Sequence, residues 1–321
     1  MPNGLYAVVA TVDGQETTAE LLRTLASDGR FRIVVVDNGS QPAFRQWLYS
    51  LQGDGIVILC NEHNAGVGAA WNQGIRIAMQ NAAQGVLIAG NDTCPMPGTL
   101  NRLLALAQAG CPFVTGTQVA WETPSAPVAA PTPTDKVILA PDFSFFFIPA
   151  LTVEILARFE AQSGVPMSPW ALGLFDERYY PAYFEDNDMH TRLHRAGLVA
   201  VRDPLALYRH RCSQTIATHP ELAQQQVAIM QRNAELFRQK FGRLPHELDV
   251  PPQARPLNVT DEQWTQMTGG RPIIEVDQSV VTAQARQVYA QFGIVPTPPP
   301  PPSSPITPIM LPPITDHGPQ P

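Results

Sequence analysis

The chain has 321 residues, of which 44% are hydrophobic and 15% are charged, and its formal net charge is -7. This length holds one large α/β domain plus an appendage, and the composition is that of a globular protein with a weakly charged surface. The acidic balance argues against a broad electropositive surface for nucleic acid.

The sequence contains no apolar stretch of the ~20 residues that a membrane span needs, and its first residues lack a basic leader followed by a cleavable apolar run. The four cysteines, Cys60, Cys94, Cys111 and Cys212, form no C-x-x-C pair. Reduced thiols and a cytoplasmic location are therefore expected.

Short apolar, β-rich runs alternate with helical patterns through the first 116 residues. Strands are predicted at 5–12, 33–36, 56–59, 86–89 and 113–116, and helices at 18–28, 42–51, 67–82 and 98–109. Strands joined by helices predict a Rossmann-like, mostly parallel sheet flanked by helices on both faces. Because such sheets bind ligands at the carboxyl ends of their strands, the polar residues after each run are candidate site residues.

The second half is less regular. Residues 120–135 predict a loop rich in Pro, Ala and Thr, the run FSFFFIP predicts a buried strand before a helix near Ala150, and 219–242 predicts a long helix that ends at a glycine. The chain is divided into a domain over 1–245, a small extension of uncertain fold over 246–294, and a proline-rich disordered tail over 295–321. The part beyond about residue 250 is expected to add little apolar burial.

Two strand ends carry short acceptor side chains, in TVDG at 11–14 and VVDNGS at 35–40. Asp37 at such an edge can accept hydrogen bonds from the nucleobase and ribose of a nucleotide. The same composition is common in ordinary turns, with Ser40 as a helix cap. Both interpretations of Asp37 stay open at this point.

A loop of small residues, NEHNAGVGAAWNQGI at 61–75, leads into a helix. Small residues let backbone amides and a helix N-terminus approach a diphosphate, although simple helix initiation would need the same residues. A dehydrogenase is excluded because Gly66-Val67-Gly68 lacks a third glycine and does not follow the first strand.

Asp92 follows the fourth strand, in LIAGNDT at 87–93. A hard divalent cation takes oxygen ligands and neutralises charge on a departing nucleoside diphosphate, so Asp92 is a candidate metal ligand. The alternative is a capping turn before the helix near Gly98.

The block FDERYYPAYFEDNDM at 175–189 places several acids beside aromatic residues. A positioned carboxylate can serve as a general base for an alcohol, while acids that open a helix also complement its dipole. Capping alone leaves Asp176 and the aromatic run unexplained. His210, in RHRCSQT at 209–215, is either structural or a group that meets a metal or a diphosphate.

These blocks, in this order, resemble family 2 glycosyltransferases of the GT-A type, in the rhamnosyltransferase-like branch. That family carries V-V-D-N-x-S, N-x-x-N-x-G-x-[GA]-x-x-x-N-x-G-[IL], L-N-N-D-T, F-D-E-x-[FY]-F-x-x-x-E-D-x-D-[LM] and H-x-x-S-x-T. The helix carrying NAELFRQKFG at 233–242 resembles its closing helix, so the resemblance spans residues 1 to about 245. One departure is Gly90, which stands where the family has Asn or Asp.

The resemblance implies a GT-A fold and an inverting transfer of a sugar from a UDP-, dTDP- or GDP-sugar to an acceptor hydroxyl, with Mn²⁺ or Mg²⁺. It places the general base on Asp186, with Glu185 or Asp188 in reserve. The implied donor-binding residues are Thr11, Asp13, Asp37, Asn38, Asn64, Gly66, Asn72, Asn91 and Asp92. The implied acceptor-binding residues are Asp176, Tyr183 and Asp188, and the implied metal ligands are Asp92 and His210.

The acceptor expected from the resemblance is a glycan or a lipid-linked saccharide of the cell envelope. A hydroxymethylated base in viral DNA is the alternative, and the acidic charge ranks this nucleic acid acceptor second. Two other classes of protein are alternatives to a glycosyltransferase. A nucleotidyltransferase lacks support because no glycine-rich basic loop follows the first strand, and a non-catalytic sugar-nucleotide-binding adaptor would use the proline-rich tail to recruit partners.

Overall fold

The computed structural model describes residues 4–53, 55–163, 174–212, 220–248 and 253–297, with the backbone alone for 160–163 and 220–222. The residues 213–215 of the histidine motif and most of the proline-rich tail lie outside these ranges, so their predictions stay predictions.

Strands and helices alternate in the amino-terminal half, as predicted. They are β1 (Leu5–Thr11), α1 (Gln15–Asp28), β2 (Phe31–Asn38), α2 (Pro42–Ser50), β3 (Ile56–Asn61), α3 (Val67–Gln80) and β4 (Gly85–Gly90). The four strands are parallel and lie in the order β3-β2-β1-β4. Val34 and Val35 point to opposite faces and are both fully buried, because helices cover both sides of a parallel sheet.

The next elements extend this sheet. They are β5 (Thr93–Pro95), α4 (Thr99–Gln108), β6 (Phe113–Ala120), β7 (Val137–Ile138), β8 (Phe145–Pro149) and α5 (Ala150–Ser163). The predicted buried strand in FSFFFIP is confirmed as β8, which lies antiparallel between β4 and β6. Phe146 packs into the core on one face of the sheet, and Phe145 and Phe147 pack into the core on the other.

The remaining elements are α6 (Glu185–Arg195), β9 (Ala200–His210), α7 (Pro220–Phe241), a 3₁₀ turn (Pro245–Glu247), α8 (Asp261–Met267), β10 (Ile273–Ile274) and α9 (Gln278–Gln291). The strand order is β10-β7-β9-β6-β8-β4-β1-β2-β3, and β5 pairs with β9. The predicted α/β architecture is confirmed, with a parallel half at β3 to β4 and a mixed half beyond β8.

The segment beyond residue 250 buries more apolar surface than expected. Met267 belongs to the main core, and β10 pairs with β7 at the edge of the sheet. Tyr289 and Ile294 join a third apolar cluster with Phe184 and Phe237. The expectation of little burial is therefore wrong, because α9 packs beside the start of α6.

Two further findings concern the cysteines and the helices. All four cysteines are described and none is in a disulfide. None of the helices in the described ranges combines the length and apolar character that crossing a bilayer requires.

Candidate active site

A cleft of about 600 Å³ opens at the carboxyl ends of β1, β2 and β4 and extends over β6 and β9. The predicted site residues that line it are Thr11, Asn38, Asn64, Asn91, Asp92, Tyr183, Glu185, Asp186 and His210. The cleft therefore joins residues from six separate sequence blocks at the edge where a parallel sheet binds its ligands.

Asn38 organises the loop of small residues. Its Nδ2 donates to Asn64 Oδ1 at 2.9 Å and to the Gly66 carbonyl at 3.1 Å, and its Oδ1 accepts from Ala65 N at 2.9 Å. Gly66 has a φ of 90°, and a Cβ there would stand 3.2 Å from the Pro181 carbonyl oxygen. The loop thus needs glycine to reach the start of α3 while lying against the 181 segment.

The turn after β1 is fixed by two other predicted residues. Thr11 Oγ1 donates to the Asp13 carbonyl at 2.9 Å, and Asn91 Nδ2 donates to the same carbonyl at 3.1 Å. Asn91 Nδ2 also donates to Thr18 Oγ1 at 3.2 Å. Thr11 and Asn91 therefore line the cleft and also hold the β1–α1 turn against β4.

Four residues predicted to bind the donor do not line the cleft: Gly66 and three polar residues that have other partners. Asp37 is fully buried, accepts from Ser40 N at 3.1 Å and pairs with Arg45 Nε at 2.9 Å. Asp13 Oδ1 accepts from the backbone N of residue 41 at 3.0 Å. Asn72 Nδ2 donates to the Phe175 carbonyl at 2.8 Å, which ties α3 to the acidic segment.

Asp92 and His210 meet at the centre of the cleft, where β5 pairs with the end of β9. His210 Nε2 lies 3.5 Å from Asp92 Oδ1, and His210 Nδ1 lies 2.9 Å from Gln118 Oε1. In the tautomer that carries its hydrogen on Nδ1, His210 donates to the Gln118 amide oxygen and Nε2 faces Asp92.

Asp92 and His210 offer two side chains of the types that bind divalent metals. Within the described ranges, no group of three or more His, Cys, Asp or Glu side chains is arranged around one ion. Because Asp92 and His210 supply only one oxygen and one nitrogen, a diphosphate or water would have to complete the coordination of an ion held there. A Cβ at Gly90 would stand 3.0 Å from Asp92 Oδ1, so the Asp92 carboxylate occupies the space that a larger residue at 90 would need.

The acidic segment enters α6 through two residues in the left-handed region. Tyr183 has a φ of 77° and Phe184 a φ of 74°, and both lie directly before Glu185. Asn233 of α7 holds this backbone, since its Nδ2 donates to the carbonyls of Ala182 and Tyr183, each at 2.9 Å. Strained backbone of this kind persists where surrounding contacts fix it, and here it places the first turn of α6 in the cleft.

Glu185 and Asp186 form the acidic end of the cleft. Burial raises the pKa of Glu185 well above its ordinary value, and the charges of Asp186 and Asp188 raise it further. Burial also raises the pKa of Asp186, against the hydrogen bonds that its Oδ1 accepts from Asn187 N at 2.7 Å and Asn187 Nδ2 at 2.9 Å. A carboxylate with a raised pKa in a cleft is a stronger base than a free one, so the pair suits proton abstraction.

Two acids predicted to bind the acceptor lie behind the cleft instead. Asp188 is fully buried and pairs with Arg192 and with Lys240 Nζ, the latter at 2.7 Å. Asp176 pairs with Arg178 and with the same Nζ at 2.9 Å. The Arg178 hydrogen bond and the Lys240 charge outweigh burial and lower the pKa of Asp176. These acids anchor α6 and do not reach the cleft, whereas Tyr183 does.

Sequence reasoning missed several polar residues of the cleft, namely Gln118, Asp142, Ser144 and Arg202. Gln118 and Arg202 come from β6 and β9. The available signal was a charged residue inside an apolar strand pattern, since Arg202 is flanked by the buried residues Val201 and Asp203.

Residues 6–139 match the family model described as glycosyl transferase family 2. Among curated proteins, none matches the chain. The fold is similar to that of S. aureus TarS 1-349, with 14% identity, a TM-score of 0.47, and coverage of 82% of this chain and 77% of that chain. It is also similar to GalNAc-T7, solved with UDP, GalNAc and Mn²⁺, with 12% identity, a TM-score of 0.45, and coverage of 90% of this chain and 58% of that chain.

The family match spans β1 through β7 and includes Thr11, Asn38, Asn64, Asn91 and Asp92. The acidic segment and His210 come from later elements, and they meet these residues in the same cleft. Residues 6–139 are therefore the part of the chain that is similar to glycosyl transferase family 2.

Proposed function

We propose that the protein is an inverting glycosyltransferase of the rhamnosyltransferase-like branch, which moves a sugar from a nucleotide-sugar donor to an acceptor hydroxyl. The observation that carries this proposal is the meeting of three pairs in one cleft: Asn38 with Asn64, Asp92 with His210, and Glu185 with Asp186. Each pair offers one function that sugar transfer needs.

The donor is a UDP-, dTDP- or GDP-sugar. The nucleoside would contact the polar side chains of Thr11, Asn38 and Asn64. These residues come from the ends of β1 and β2 and from the loop after β3. The N-terminus of α3 begins beside this loop, at Val67, and its dipole favours the negative charge of a diphosphate.

Asp92 and His210 would hold Mn²⁺ or Mg²⁺. When bound, the ion would neutralise charge on the departing nucleoside diphosphate. Gln118 keeps the His210 ring in the tautomer that offers Nε2 as a ligand, as partners of metal-binding histidines commonly do.

Asp186 takes the proton from the acceptor hydroxyl. An alcohol is a weak nucleophile at neutral pH, and a positioned carboxylate contributes roughly 10² to 10⁴-fold. One base with direct attack on the anomeric carbon gives a single displacement and inverts the configuration there. Glu185, which lies next to Asp186 with a raised pKa, keeps its own charge low and so leaves Asp186 free to take the proton.

The proposed acceptor is the hydroxyl of a glycan or of a lipid-linked saccharide. Tyr183 and Phe143 line the cleft beside Asp186, and aromatic side chains offer sugar rings a flat apolar surface. A hydroxymethylated base in DNA has less support, because the chain carries a net charge of -7.

The proposal is tested first by thermal-shift screening of UDP-, dTDP- and GDP-sugars with and without Mn²⁺, since a ligand that binds the native state raises its stability. The donor found in this way is then used in a transfer assay with Asp186→Asn. We expect at least about a 10²-fold lower kcat with nearly unchanged donor binding. An equal loss of donor binding would remove Asp186 from the role of base, and the absence of binding by every donor would refute the proposed function.

A further inference from the structure

Arg202 lies in the acceptor half of the cleft. It belongs to β9, where it pairs in register with Thr115 of β6 and Ile138 of β7, and its side chain lines the cleft together with Gln118 and Asp142. Its sequence neighbours Val201 and Asp203 are buried on the other face of the sheet. The strand therefore delivers the Arg202 guanidinium to the same face as α6 and Asp186.

No described residue pairs with this guanidinium. Arg202 Nε is buried without a hydrogen-bond partner, and Arg202 takes part in no ion pair within the described ranges, Asp142 included. Asp142 Oδ1 instead accepts from Ser144 N at 3.1 Å. Other buried cations do have carboxylate partners, as Arg102 has Asp203 and Lys240 has Asp188. A partly buried cation without an anion is costly to keep, so its natural partner is a ligand.

The order of the sheet shows which ligand reaches Arg202. Asn38 and Asn64 come from the β2 and β3 side, Asp92 follows β4 in the middle, and Arg202 comes from β9 on the far side of β8 and β6. In the proposed function, on which this inference rests, the nucleoside lies over the first side and the diphosphate lies at Asp92. Arg202 is then beyond the donor, where the acceptor binds.

Two further cations, Arg209 and Arg211, stand at the end of β9 but do not line the cleft. Trp121 follows β6, and the guanidinium carbons of Arg209 and Arg211 each lie 5.0 Å from the centre of its ring. Among the described residues, the one carboxylate that pairs with Arg211 is Glu16, whose Oε2 lies at 3.6 Å and which is 79% exposed. Exposed pairs of this kind contribute little, so Arg211 retains its attraction for anions.

We propose that Arg202 is the anion-recognising residue of the acceptor subsite, so that the acceptor carries a phosphate or carboxylate group near its reacting hydroxyl. Guanidinium groups bind both anions with two parallel hydrogen bonds, and a site that excludes water strengthens them. The proposal selects phosphorylated or acidic saccharides over neutral ones and gives Arg202 a role in specificity.

The test measures binding by calorimetry, with three probes: glucose 6-phosphate, glucuronate and methyl glucoside. Each probe is titrated into the full chain in the absence and in the presence of UDP and Mn²⁺. The variants are Arg202→Met, Arg202→Lys and the control Arg32→Met, which removes an exposed arginine at the opposite end of β2. A thermal melt of each variant accompanies the titrations, because Arg202→Met removes an unpaired buried cation and should not lower stability.

We expect at least one anionic probe to bind more tightly than methyl glucoside, and the preferred anion identifies the source as phosphate or carboxylate. Arg202→Met should weaken that binding by about tenfold or more, Arg202→Lys by less, and Arg32→Met should have no effect. Binding of UDP should not change in Arg202→Met. If Arg202→Met melts early, Arg202→Lys decides, since it keeps the charge but loses the paired hydrogen bonds.

Three results would overturn the proposal. The first is that the three probes bind equally well, or that none binds, under both conditions. The second is that Arg202→Met leaves the affinity for the anionic probe unchanged. The third is that Arg202→Met lowers the affinity for UDP more than the affinity for the anionic probe, which would assign Arg202 to donor binding. The outcome is separable from the proposed function. Anion binding that depends on Arg202 without turnover would refute only the transferase, and transfer to neutral acceptors at an unchanged rate in Arg202→Met would refute only the anion subsite.

Discussion

Lys240 Nζ lies 2.7 Å from Asp188 Oδ2, and both side chains are almost completely buried. Asp188 is in the first turn of α6 and Lys240 is in the last turn of α7, so this pair fastens the helix that carries Glu185 and Asp186. Tyr179 OH donates to the same carboxylate oxygen at 3.1 Å, and Arg192 pairs with the other oxygen. The acids of the cleft are thus positioned by a charged cluster that lies outside the lining of the cleft.

Lys240→Met is expected to lower the free energy of unfolding by about 3 kcal/mol, because it leaves two buried carboxylates with less compensation. Urea unfolding of the purified chain measures the change. The control is Arg158→Met, which removes one side of the exposed pair with Glu154 and should cost less than about 0.5 kcal/mol. Equal effects of the two substitutions would show that the buried cluster does not stabilise the fold.

Glu185→Gln is expected to stabilise the protein at alkaline pH. The pKa of Glu185 is raised in the folded state, so the folded protein favours the neutral carboxyl group. The stability that this group contributes is fully present below its unfolded-state pKa and is lost as pH rises through its folded-state pKa. Glutamine stays neutral at every pH. The variant therefore does not bury a negative charge at the Glu185 carboxyl group, whose Oε2 has no hydrogen-bond partner among the described residues.

The gain from Glu185→Gln should be about 1–3 kcal/mol at pH 8 and close to zero near pH 4, as measured by urea unfolding at the two pH values. The control Glu122→Gln alters an exposed loop residue and should show no such difference. A variant whose stability tracks that of the wild type at every pH would contradict the raised pKa.

The sequence predicts the parallel half of the sheet well because apolar runs there alternate with helices at regular intervals. The acidic block was also predicted to contain the base, and Asp186 does lie in the cleft. Local composition could not separate a turn from a ligand site at Asp37, since the choice depends on Arg45 and on the neighbouring strand. Lys240 and Arg202 were missed for a related reason: their environment is set by elements far away in the sequence, and no local pattern records those contacts.

Gln118→Leu is expected to weaken Mn²⁺ binding about tenfold, because Gln118 Oε1 accepts from His210 Nδ1 and holds the ring that faces Asp92. Titration of Mn²⁺ in the presence of UDP measures the change. Gln118→Glu keeps an acceptor oxygen and serves as the matched control, so its Mn²⁺ affinity should stay at or above that of the wild type. Equal weakening in both variants would show that Gln118 does not act through the histidine.

Tyr289→Ala tests the unexpected contribution of α9 to the site. The Tyr289 ring stacks on Phe184 with 5.6 Å between centroids and 15° between planes, and Phe184 directly precedes Glu185. Removing a buried aromatic ring costs about 3–5 kcal/mol, and here it also loosens the left-handed backbone that presents the acids. Tyr289→Phe keeps the ring and should behave as the wild type in both stability and transfer.

The expected kinetic signature of Tyr289→Ala is a lower kcat with little change in donor binding, because the contact lies on the acid side of the cleft and the nucleoside would lie over the ends of β1 and β2. Transfer is assayed at a temperature well below the melting transition of the variant, so that unfolding does not contribute. A chain ending at residue 248 should show the same loss more strongly, since it also lacks β10 and Met267. Full stability and full kcat in that shortened chain would place everything beyond the 3₁₀ turn outside the functional unit.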